Sequence, residues 1–166
     1  MASIDAGKAE VCAWIREHFP PESRILDVGA GDGKWRMLLS EYPNMDAVEV
    51  FRPNAEAIAH LYGTVYATNI VKLNYRPYDL IIFGDVIEHL AVDDAQMVLR
   101  TAEKKCTDMI IAVPFLYPQN EIYGNPWERH IQDDLTNAVF NDRYPGFEVL
   151  FDTGRGYMYY HKGEKQ

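Results

Sequence analysis

The stretch that decides the fold is Asp27-Val28-Gly29-Ala30-Gly31-Asp32-Gly33. The segment that leads into it, Arg24 to Val28, is short and mainly aliphatic, which is typical of a strand buried on both faces of a parallel sheet. After it, apolar side chains recur at the spacing of one helix face: Trp35, Leu38, Leu39 and Tyr42. A buried strand that passes through glycines into a helix is the place where open parallel sheets bind nucleotide-like ligands.

The spacing of the glycines indicates which of these ligands to expect. A dinucleotide fingerprint requires its third glycine at the position that Lys34 occupies. Here the glycines are Gly29, Gly31 and Gly33, which let the backbone turn tightly and approach a ligand without side-chain clash. This spacing disfavours a nicotinamide oxidoreductase, although a tight turn without any ligand would use the same residues.

Strands and helices alternate along the rest of the chain. Strands are expected at 46–50, 64–67, 78–83 and 109–113, and helices at 55–62 and 92–102, which implies parallel strands joined by right-handed crossovers. A further helix is expected from near Asp133, and the segments 147–151 and 156–160 flank a hairpin turn. The sequence therefore predicts a doubly wound α/β fold in one domain, 1–166, that ends in an antiparallel hairpin.

The amino-acid composition of the chain bears on whether nucleic acids or membranes are expected as partners. The chain has 166 residues, of which 48% are apolar, enough for one domain with a hydrophobic core. Its net charge of -9 at pH 7 and its scattered basic residues make a nucleic acid an unexpected partner. The chain contains no run of about 20 apolar residues to span a bilayer, and Met1–Asp5 lacks the basic start of a signal peptide. We therefore expect a cytoplasmic protein that does not enter a membrane.

An acidic residue stands where a ribose would be bound. Glu49 lies near the end of the second predicted strand, about 20 residues beyond the glycines, and Val48 and Val50 flank it. A carboxylate at this place can accept hydrogen bonds from both ribose hydroxyls. The alternative is an exposed carboxylate at a strand end.

Taken in order, these motifs resemble those of the class I S-adenosylmethionine-dependent methyltransferases over nearly the whole chain. The resemblance rests on the glycine stretch, on Glu49, and on the segment Phe83-Gly84-Asp85-Val86-Ile87-Glu88-His89-Leu90. It implies a Rossmann-like, mostly parallel seven-stranded sheet, and the family's final antiparallel hairpin accounts for the end of the chain.

The resemblance also implies where the cofactor S-adenosylmethionine lies. The residues that it marks as cofactor-binding are Asp27, Gly29, Ala30, Gly31, Glu49, Val50, Asn69, Ile70, Gly84 and Asp85. Asp27 and the backbone at the first two glycines would hold the methionine end, Glu49 the ribose, and Asn69 with Ile70 the adenine. Asn69 departs from the acidic residue that many relatives have there, but it can still accept one bond through its carbonyl oxygen.

The methyl acceptor would contact the segments after the fourth and fifth strands, whose carboxyl ends border the cofactor crevice. A sulfonium methyl is already electrophilic, so the protein must mainly orient an acceptor atom and remove its proton. The candidate catalytic residues are Glu88, His89 and His130. The long loop 114–134 also carries Tyr117, Tyr123 and Trp127, which either cover the acceptor or shield a sheet edge.

A divalent cation is a further expectation from the resemblance. Ubiquinone-type O-methyltransferases and small-RNA 2′-O-methyltransferases hold one with an acid, two residues and a Glu-His pair, and the second branch adds a later histidine. The corresponding residues here are Asp85, Glu88, His89 and His130, which would bind Mg²⁺, Mn²⁺ or Zn²⁺. Other relatives carry the Glu-His pair without a metal, so both alternatives stay open.

We therefore expect methyl transfer from S-adenosylmethionine to a small or medium-sized metabolite, at oxygen, with or without a divalent cation. The alternative is a nonenzymatic module of the same fold that binds the nucleoside or assists a partner protein.

Overall fold

One sheet organises the residues that the computed structural model describes, 5–163. Its strands are β1 (Ile25–Val28), β2 (Met45–Val48), β3 (Val65–Tyr66), β4 (Tyr78–Gly84), β5 (Cys106–Pro114), β6 (Glu148–Asp152) and β7 (Tyr157–Gly163). Their order across the sheet is β3-β2-β1-β4-β5-β7-β6. Strands β1 to β5 are parallel, and β7 is antiparallel to both β5 and β6. This confirms the predicted doubly wound sheet and its C-terminal hairpin, although both ends of the predicted domain, 1–4 and 164–166, lie outside the described residues.

Helices cover both faces of this sheet. They are α1 (Lys8–His18), α2 (Lys34–Leu38), α3 (Arg52–Ile58), α4 (Val92–Glu103) and α5 (Asn137–Arg143). Strand β4 shows how the two hydrophobic cores arise, because its side chains alternate between them. Leu80 and Ile82 pack with α1, α2 and α3, whereas Ile81 and Phe83 pack with α4 and α5. Burial on both faces is what the continuous aliphatic strands predict.

The element boundaries that differ from the prediction include those of α5, α2 and β2. Helix α5 begins at Asn137 and not near Asp133, because the Thr136 hydroxyl accepts the Val139 N–H and caps the helix there. Helix α2 ends at Leu38, well before Tyr42, whose side chain is nevertheless buried. Strand β2 ends at Val48, so the predicted ribose-binding acid lies in the turn that follows the strand.

The described part of the chain has no helix of the length and apolarity that a membrane span requires.

Candidate active site

A cavity of about 680 Å³ opens at the carboxyl edge of the parallel strands. It lies beside β1, whose neighbours are β2 on one side and β4 on the other, so the strand order reverses there. Its walls come from the segments that follow β1, β2, β3, β4 and β5. The predicted cofactor-binding residues that line it are Gly29, Ala30, Gly31, Glu49, Val50, Asn69, Ile70, Gly84 and Asp85. The three candidate catalytic residues, Glu88, His89 and His130, line the same cavity.

The three glycines of the loop after β1 have different roles. All have positive φ, at 74° for Gly29, 55° for Gly31 and 82° for Gly33, where other residues are strained. A Cβ on Gly29 would lie 2.4 Å from Val86 Cγ2, and one on Gly33 would lie 2.8 Å from Leu61 Cδ1. A Cβ on Gly31 would meet only the Gly29 carbonyl oxygen, at 3.9 Å. Packing therefore requires the outer two glycines, whereas the middle one keeps the cavity open.

Glu49 is fixed by the same loop. Its Oε2 accepts the Gly31 N–H at 2.8 Å and its Oε1 accepts the Phe51 N–H at 2.8 Å. The residue is only 6% exposed, so the alternative of an exposed carboxylate is wrong. Burial raises the pKa of Glu49, and the two backbone donors oppose that rise. A carboxylate has about four lone-pair sites, so each oxygen keeps one for a ligand hydroxyl.

Asp27 lies beneath the cavity and does not line it. Its side chain is fully buried, and its Oδ2 accepts the Tyr62 hydroxyl at 2.6 Å. Burial raises the pKa of Asp27 to about 7. Its predicted contact with the methionine end would require a rearrangement, because within this structure the Asp27 side chain bonds to Tyr62 and does not line the cavity.

The wall after β3 and the wall after β4 are both preorganised. Asn69 Oδ1 accepts the Val71 N–H at 2.9 Å, which leaves one lone pair and the amide hydrogens for a base edge. Asp85 has a φ of 55°, and its Oδ1 accepts the Tyr157 hydroxyl at 2.6 Å. A side chain at Gly84 would clash with the indole of Trp35, which also lines the cavity. Positive φ at a non-glycine residue beside a cavity is typical of functional sites.

Glu88, His89 and His130 form one compact group. One potential ligand atom from each lies within 4.8 Å of those of the other two. The two imidazole rings meet edge to face at 4.7 Å between centroids. Glu88 is 1% exposed, and neither of its carboxyl oxygens has a hydrogen-bond partner among residues 5–163. Burial and the nearby Asp85 charge raise the pKa of Glu88 well above its usual value. Among the described residues, Asp85, the fourth predicted metal ligand, is not part of this group.

The hydrogen bonds of the two rings fix their tautomers. His89 Nδ1 lies 3.0 Å from the Arg129 carbonyl oxygen, and His130 Nδ1 lies 2.6 Å from that of Tyr117. Because a carbonyl oxygen only accepts, each Nδ1 must carry the proton. Burial lowers the pKa of both histidines, which favours the neutral rings. Each neutral ring therefore has a lone pair on Nε2, which can bind a proton or a metal ion.

The comparison of the sequence with protein families identifies the chain. A family model described as a methyltransferase domain matches residues 6–137. The chain belongs to the methyltransferase domain family. No curated protein is significantly similar to it in sequence. The match to the methyltransferase model confirms the prediction of an S-adenosylmethionine-dependent methyltransferase of the Rossmann-like class.

Solved structures share the fold of this methyltransferase. An S-adenosylmethionine-dependent methyltransferase from Clostridium acetobutylicum is 14% identical, with a TM-score of 0.73 over 96% of this chain and 92% of that one. The magnesium protoporphyrin IX methyltransferase of Synechocystis, with bound S-adenosylmethionine, is 13% identical, with a TM-score of 0.65 over 92% and 76%. The 1,6-didemethyltoxoflavin-N1-methyltransferase of Burkholderia thailandensis is 16% identical, with a TM-score of 0.65 over 96% and 79%. At these identities the similarity shows the fold alone.

A buried glutamine that sequence reasoning missed holds the candidate catalytic group of the methyltransferase in place. Gln132 Nε2 donates to the carbonyl oxygens of Ile87 and Leu90, at 2.8 and 3.0 Å. Its Oε1 accepts the Tyr144 hydroxyl at 2.7 Å and Arg143 at 3.1 Å. Gln132 thus ties the segment after β4 to the end of α5. A glutamine in a polar loop has no periodicity that would mark it as buried.

The aromatic residues of the loop after β5 divide between the cavity and the surface. Tyr123 and Trp127 line the cavity, and Tyr123 is 89% exposed at the tip of a tight turn with a φ of 54°. Tyr117 does not line it, but its carbonyl oxygen holds His130. Trp127 lines the cavity and is half-exposed, which favours a lid over a cover for a sheet edge.

The first testable prediction concerns the ribose. We expect Glu49→Ala to weaken S-adenosylhomocysteine binding about 30- to 1,000-fold, because two hydrogen bonds to a charged acceptor are lost. The Gly31 N–H also loses its partner, so the loop itself loosens. Titration calorimetry measures the change. Glu56→Ala is the control, because Glu56 is an exposed acid of α3 that pairs with Arg52. Equal affinity in wild type and Glu49→Ala would refute the ribose assignment.

Proposed function

We propose that the protein transfers the methyl group of S-adenosylmethionine to a hydroxyl oxygen of a small or medium-sized metabolite. We propose further that Glu88, His89 and His130 activate this hydroxyl as ligands of a divalent cation. The observation that carries the proposal is that two unprotonated Nε2 atoms and a buried carboxyl group converge in the cavity that the glycine loop and Glu49 also line.

The charges of the cavity support a small acceptor that is not a polyanion. Acidic residues outnumber lysines along its wall: Asp32, Glu49, Asp85, Glu88, Asp94 and Glu128 against Lys34 and Lys72. Such a wall repels phosphorylated acceptors and nucleic acids. A volume of about 680 Å³ is within the usual range for small-molecule sites, about 300 to 1,000 Å³.

In the proposed reaction, one group of residues orients the cofactor and the acceptor attacks its methyl group in line. The glycine loop and Glu49 fix the adenosine part of the cofactor, so that its sulfonium methyl is directed along the cavity. The acceptor oxygen attacks the methyl carbon in line with the carbon–sulfur bond. The new carbon–oxygen bond forms as that bond breaks, its electron pair stays on sulfur as S-adenosylhomocysteine is formed, and the proton of the acceptor hydroxyl is released to water. Preorganisation and in-line orientation supply much of the rate.

The Glu88–His89–His130 group fits a divalent cation. Two imidazole nitrogens and one carboxylate suit Mn²⁺ or Zn²⁺, and each ring is oriented by an Nδ1–H bond to a carbonyl oxygen, as metal-binding histidines usually are. A bound cation would also give the Glu88 carboxyl oxygens, which have no hydrogen-bond partner within residues 5–163, a counter-charge. When bound, such a cation lowers the pKa of the acceptor hydroxyl and orients its oxygen.

The test of the proposed function is turnover. Purified protein is incubated with S-adenosylmethionine and pools of hydroxylated metabolites, and S-adenosylhomocysteine is quantified together with the methylated product. We expect product methylated at oxygen. Cofactor binding without turnover on any acceptor would support the nonenzymatic alternative. Methylation only at nitrogen or carbon would contradict the assignment of oxygen.

The second prediction concerns pH. Burial lowers the pKa of His89 and His130 from the usual 6.5. Below that lowered pKa the rings are protonated and lose their Nε2 lone pairs, whereas above it the lone pairs are available, so kcat should rise with pH. We expect the midpoint of this acidic limb below 6.5, measured as kcat at saturating substrate. The control His60→Ala removes an exposed histidine and should leave the profile unchanged. A kcat that stays constant as the pH is lowered through and below 6.5 would contradict the role of neutral histidines.

A further inference from the structure

The loop after β5 places a carboxylate on the wall of the cavity. Glu128 lines the cavity two residues before His130. The Gln119 side chain donates from Nε2 to the Glu128 carbonyl oxygen at 2.6 Å and to its Oε2 at 3.3 Å, and Asn125 Nδ2 donates to Oε1 at 3.3 Å. Gln119 and Asn125 line the same wall. Amide donors orient a carboxylate and do not cancel its charge, so a fixed negative charge lies at this wall.

Two aromatic side chains line the cavity on the same short stretch of this loop. Trp127 is half-exposed and Tyr123 is almost fully exposed. Asn125 orients the backbone between them, because its N–H donates to the Ile122 carbonyl oxygen at 2.9 Å and its Oδ1 accepts the Trp127 N–H at 3.0 Å. The face of an indole or phenol ring attracts a cation. Exposed rings next to a fixed carboxylate therefore suit an organic ammonium ion.

The positive charges of the cavity wall lie away from this loop. Among the described residues that line the cavity after β4 and β5 there is no lysine or arginine. The acidic residues of these two segments are Asp85, Glu88, Asp94 and Glu128. The lysines of the wall, Lys34 and Lys72, follow β1 and β3 instead. Glu88 is 1% exposed, and its carboxyl oxygens have no hydrogen-bond partner within residues 5–163. This half of the cavity therefore attracts a ligand of positive charge.

The Glu128 carboxylate is tied to the candidate catalytic group. The Gln119 carbonyl oxygen accepts the His130 N–H at 3.0 Å, so the residue that orients Glu128 also holds His130. The Glu88 carbonyl oxygen accepts the Ile131 N–H at 2.8 Å. Two extended residues span at most about 7 Å, so the Cα atoms of Glu128 and His130 are no farther apart than this. A benzene ring with a two-carbon arm is long enough to reach from one side chain to the other.

We propose that the methyl acceptor is a hydroxylated organic amine whose ammonium group binds Glu128 beside the ring of Trp127. The hydroxyl group of the same molecule then lies at the Glu88–His89–His130 group, so the ammonium and the proposed divalent cation contact opposite ends of the acceptor. The position of the hydroxyl rests on the proposed function, whereas the ammonium site depends only on the wall after β5. A neutral or anionic acceptor of the same shape lacks the attraction to Glu128, so the site selects by charge.

Three phenols that differ mainly in charge test the proposal. Tyramine carries an ammonium group, 4-ethylphenol is neutral, and 3-(4-hydroxyphenyl)propionate carries a carboxylate. Each is titrated near neutral pH into the protein with S-adenosylhomocysteine present, and binding is followed by ligand-detected NMR. We expect the wild type to bind tyramine about 10- to 100-fold more tightly than 4-ethylphenol, the gain from one charge-assisted bond, and to bind the carboxylate most weakly. Glu128→Gln should lower the affinity for tyramine to that for 4-ethylphenol, which should not change.

Matched variants separate this role from a general effect of charge. Glu121→Gln is the control, because Glu121 is an exposed acid of the same loop that does not line the cavity, and it should leave all three affinities unchanged. Trp127→Leu keeps an apolar side chain but removes the ring face, so it should weaken tyramine binding about 2- to 5-fold more than 4-ethylphenol binding. Melting temperatures show whether each variant is folded. Should Glu128→Gln not fold, the wild type is measured again at high salt, which should reduce its preference for tyramine.

The outcomes distinguish this inference from the proposed function. Wild-type protein that binds tyramine no more tightly than 4-ethylphenol, or binds none of the three phenols, would overturn the ammonium site. A preference for tyramine that persists in Glu128→Gln would overturn the role of Glu128. A preference that depends on Glu128, in a protein that turns over no acceptor, would support the ammonium site and contradict the proposed function. Turnover of neutral hydroxylated acceptors without any preference for amines would support the proposed function and overturn this inference.

Discussion

Gly31→Val is expected to abolish binding of both S-adenosylmethionine and S-adenosylhomocysteine while the sheet stays folded. The glycine has a φ of 55°, and a Cβ added there meets no protein atom closer than the Gly29 carbonyl oxygen at 3.9 Å. Space that the protein leaves empty at the cavity wall is space that the cofactor needs, so a branched side chain excludes the ligand. The left-handed backbone adds a cost of about 1–2 kcal/mol, which a domain of ordinary stability tolerates. Calorimetry measures binding, and circular dichroism measures the fold.

The neighbouring glycine is the matched control. A Cβ on Gly29 would lie 2.4 Å from Val86 Cγ2, so Gly29→Ala should lower the melting temperature of the protein without ligand more than Gly31→Ala does. If Gly31→Val still binds the cofactor normally, the loop is only a tight turn. If that variant unfolds, Gly31→Ala separates the two effects, because its single methyl group reaches less far into the cavity.

The fold could be predicted from the sequence because the aliphatic strands, their alternation with helices and the C-terminal hairpin all indicate the same architecture. The aliphatic residues 80–83 need two apolar faces around them, and a parallel sheet covered by helices is what supplies both. The boundary errors have local causes. Apolar periodicity continues to Tyr42 because that side chain is buried, yet the helix has ended at Leu38. Burial and helical backbone are separate properties, and the sequence pattern reports only burial.

The site could be predicted in part, and the limits are physical. The glycine loop and Glu49 lie where their spacing predicts, because adjacent parallel strands bring their carboxyl ends to one edge. Gln132 was missed because its role depends on partners distant in the chain, the carbonyl oxygens of Ile87 and Leu90.

The largest effect on turnover is expected from His130→Ala. Its Nε2 lone pair is one of three groups that converge on the acceptor side of the cavity, and its Nδ1–H anchors the ring to the Tyr117 carbonyl oxygen. Removing the ring should lower kcat about 100- to 10,000-fold, the usual range for loss of one activating group. Affinity for S-adenosylhomocysteine should stay unchanged, because the residues that we propose for adenosine binding, the glycine loop and Glu49, follow β1 and β2 and not β5. Steady-state kinetics and calorimetry on the same protein measure both quantities.

Removal of divalent cations by a chelator tests whether the His130 Nε2 lone pair binds a metal ion or accepts a proton directly. We expect EDTA to abolish turnover of the wild type, and one of Mg²⁺, Mn²⁺ and Zn²⁺ to restore it, because the Glu88 carboxyl group is buried with no hydrogen-bond partner in the described chain. The His130→Ala variant should lose this rescue, whereas His60→Ala, at an exposed position, should keep it. Full activity in EDTA would exclude the cation and leave His89 and His130 as direct proton acceptors. In that case Glu88→Gln should retain activity, since a neutral side chain of the same shape would then serve as well as the carboxyl group.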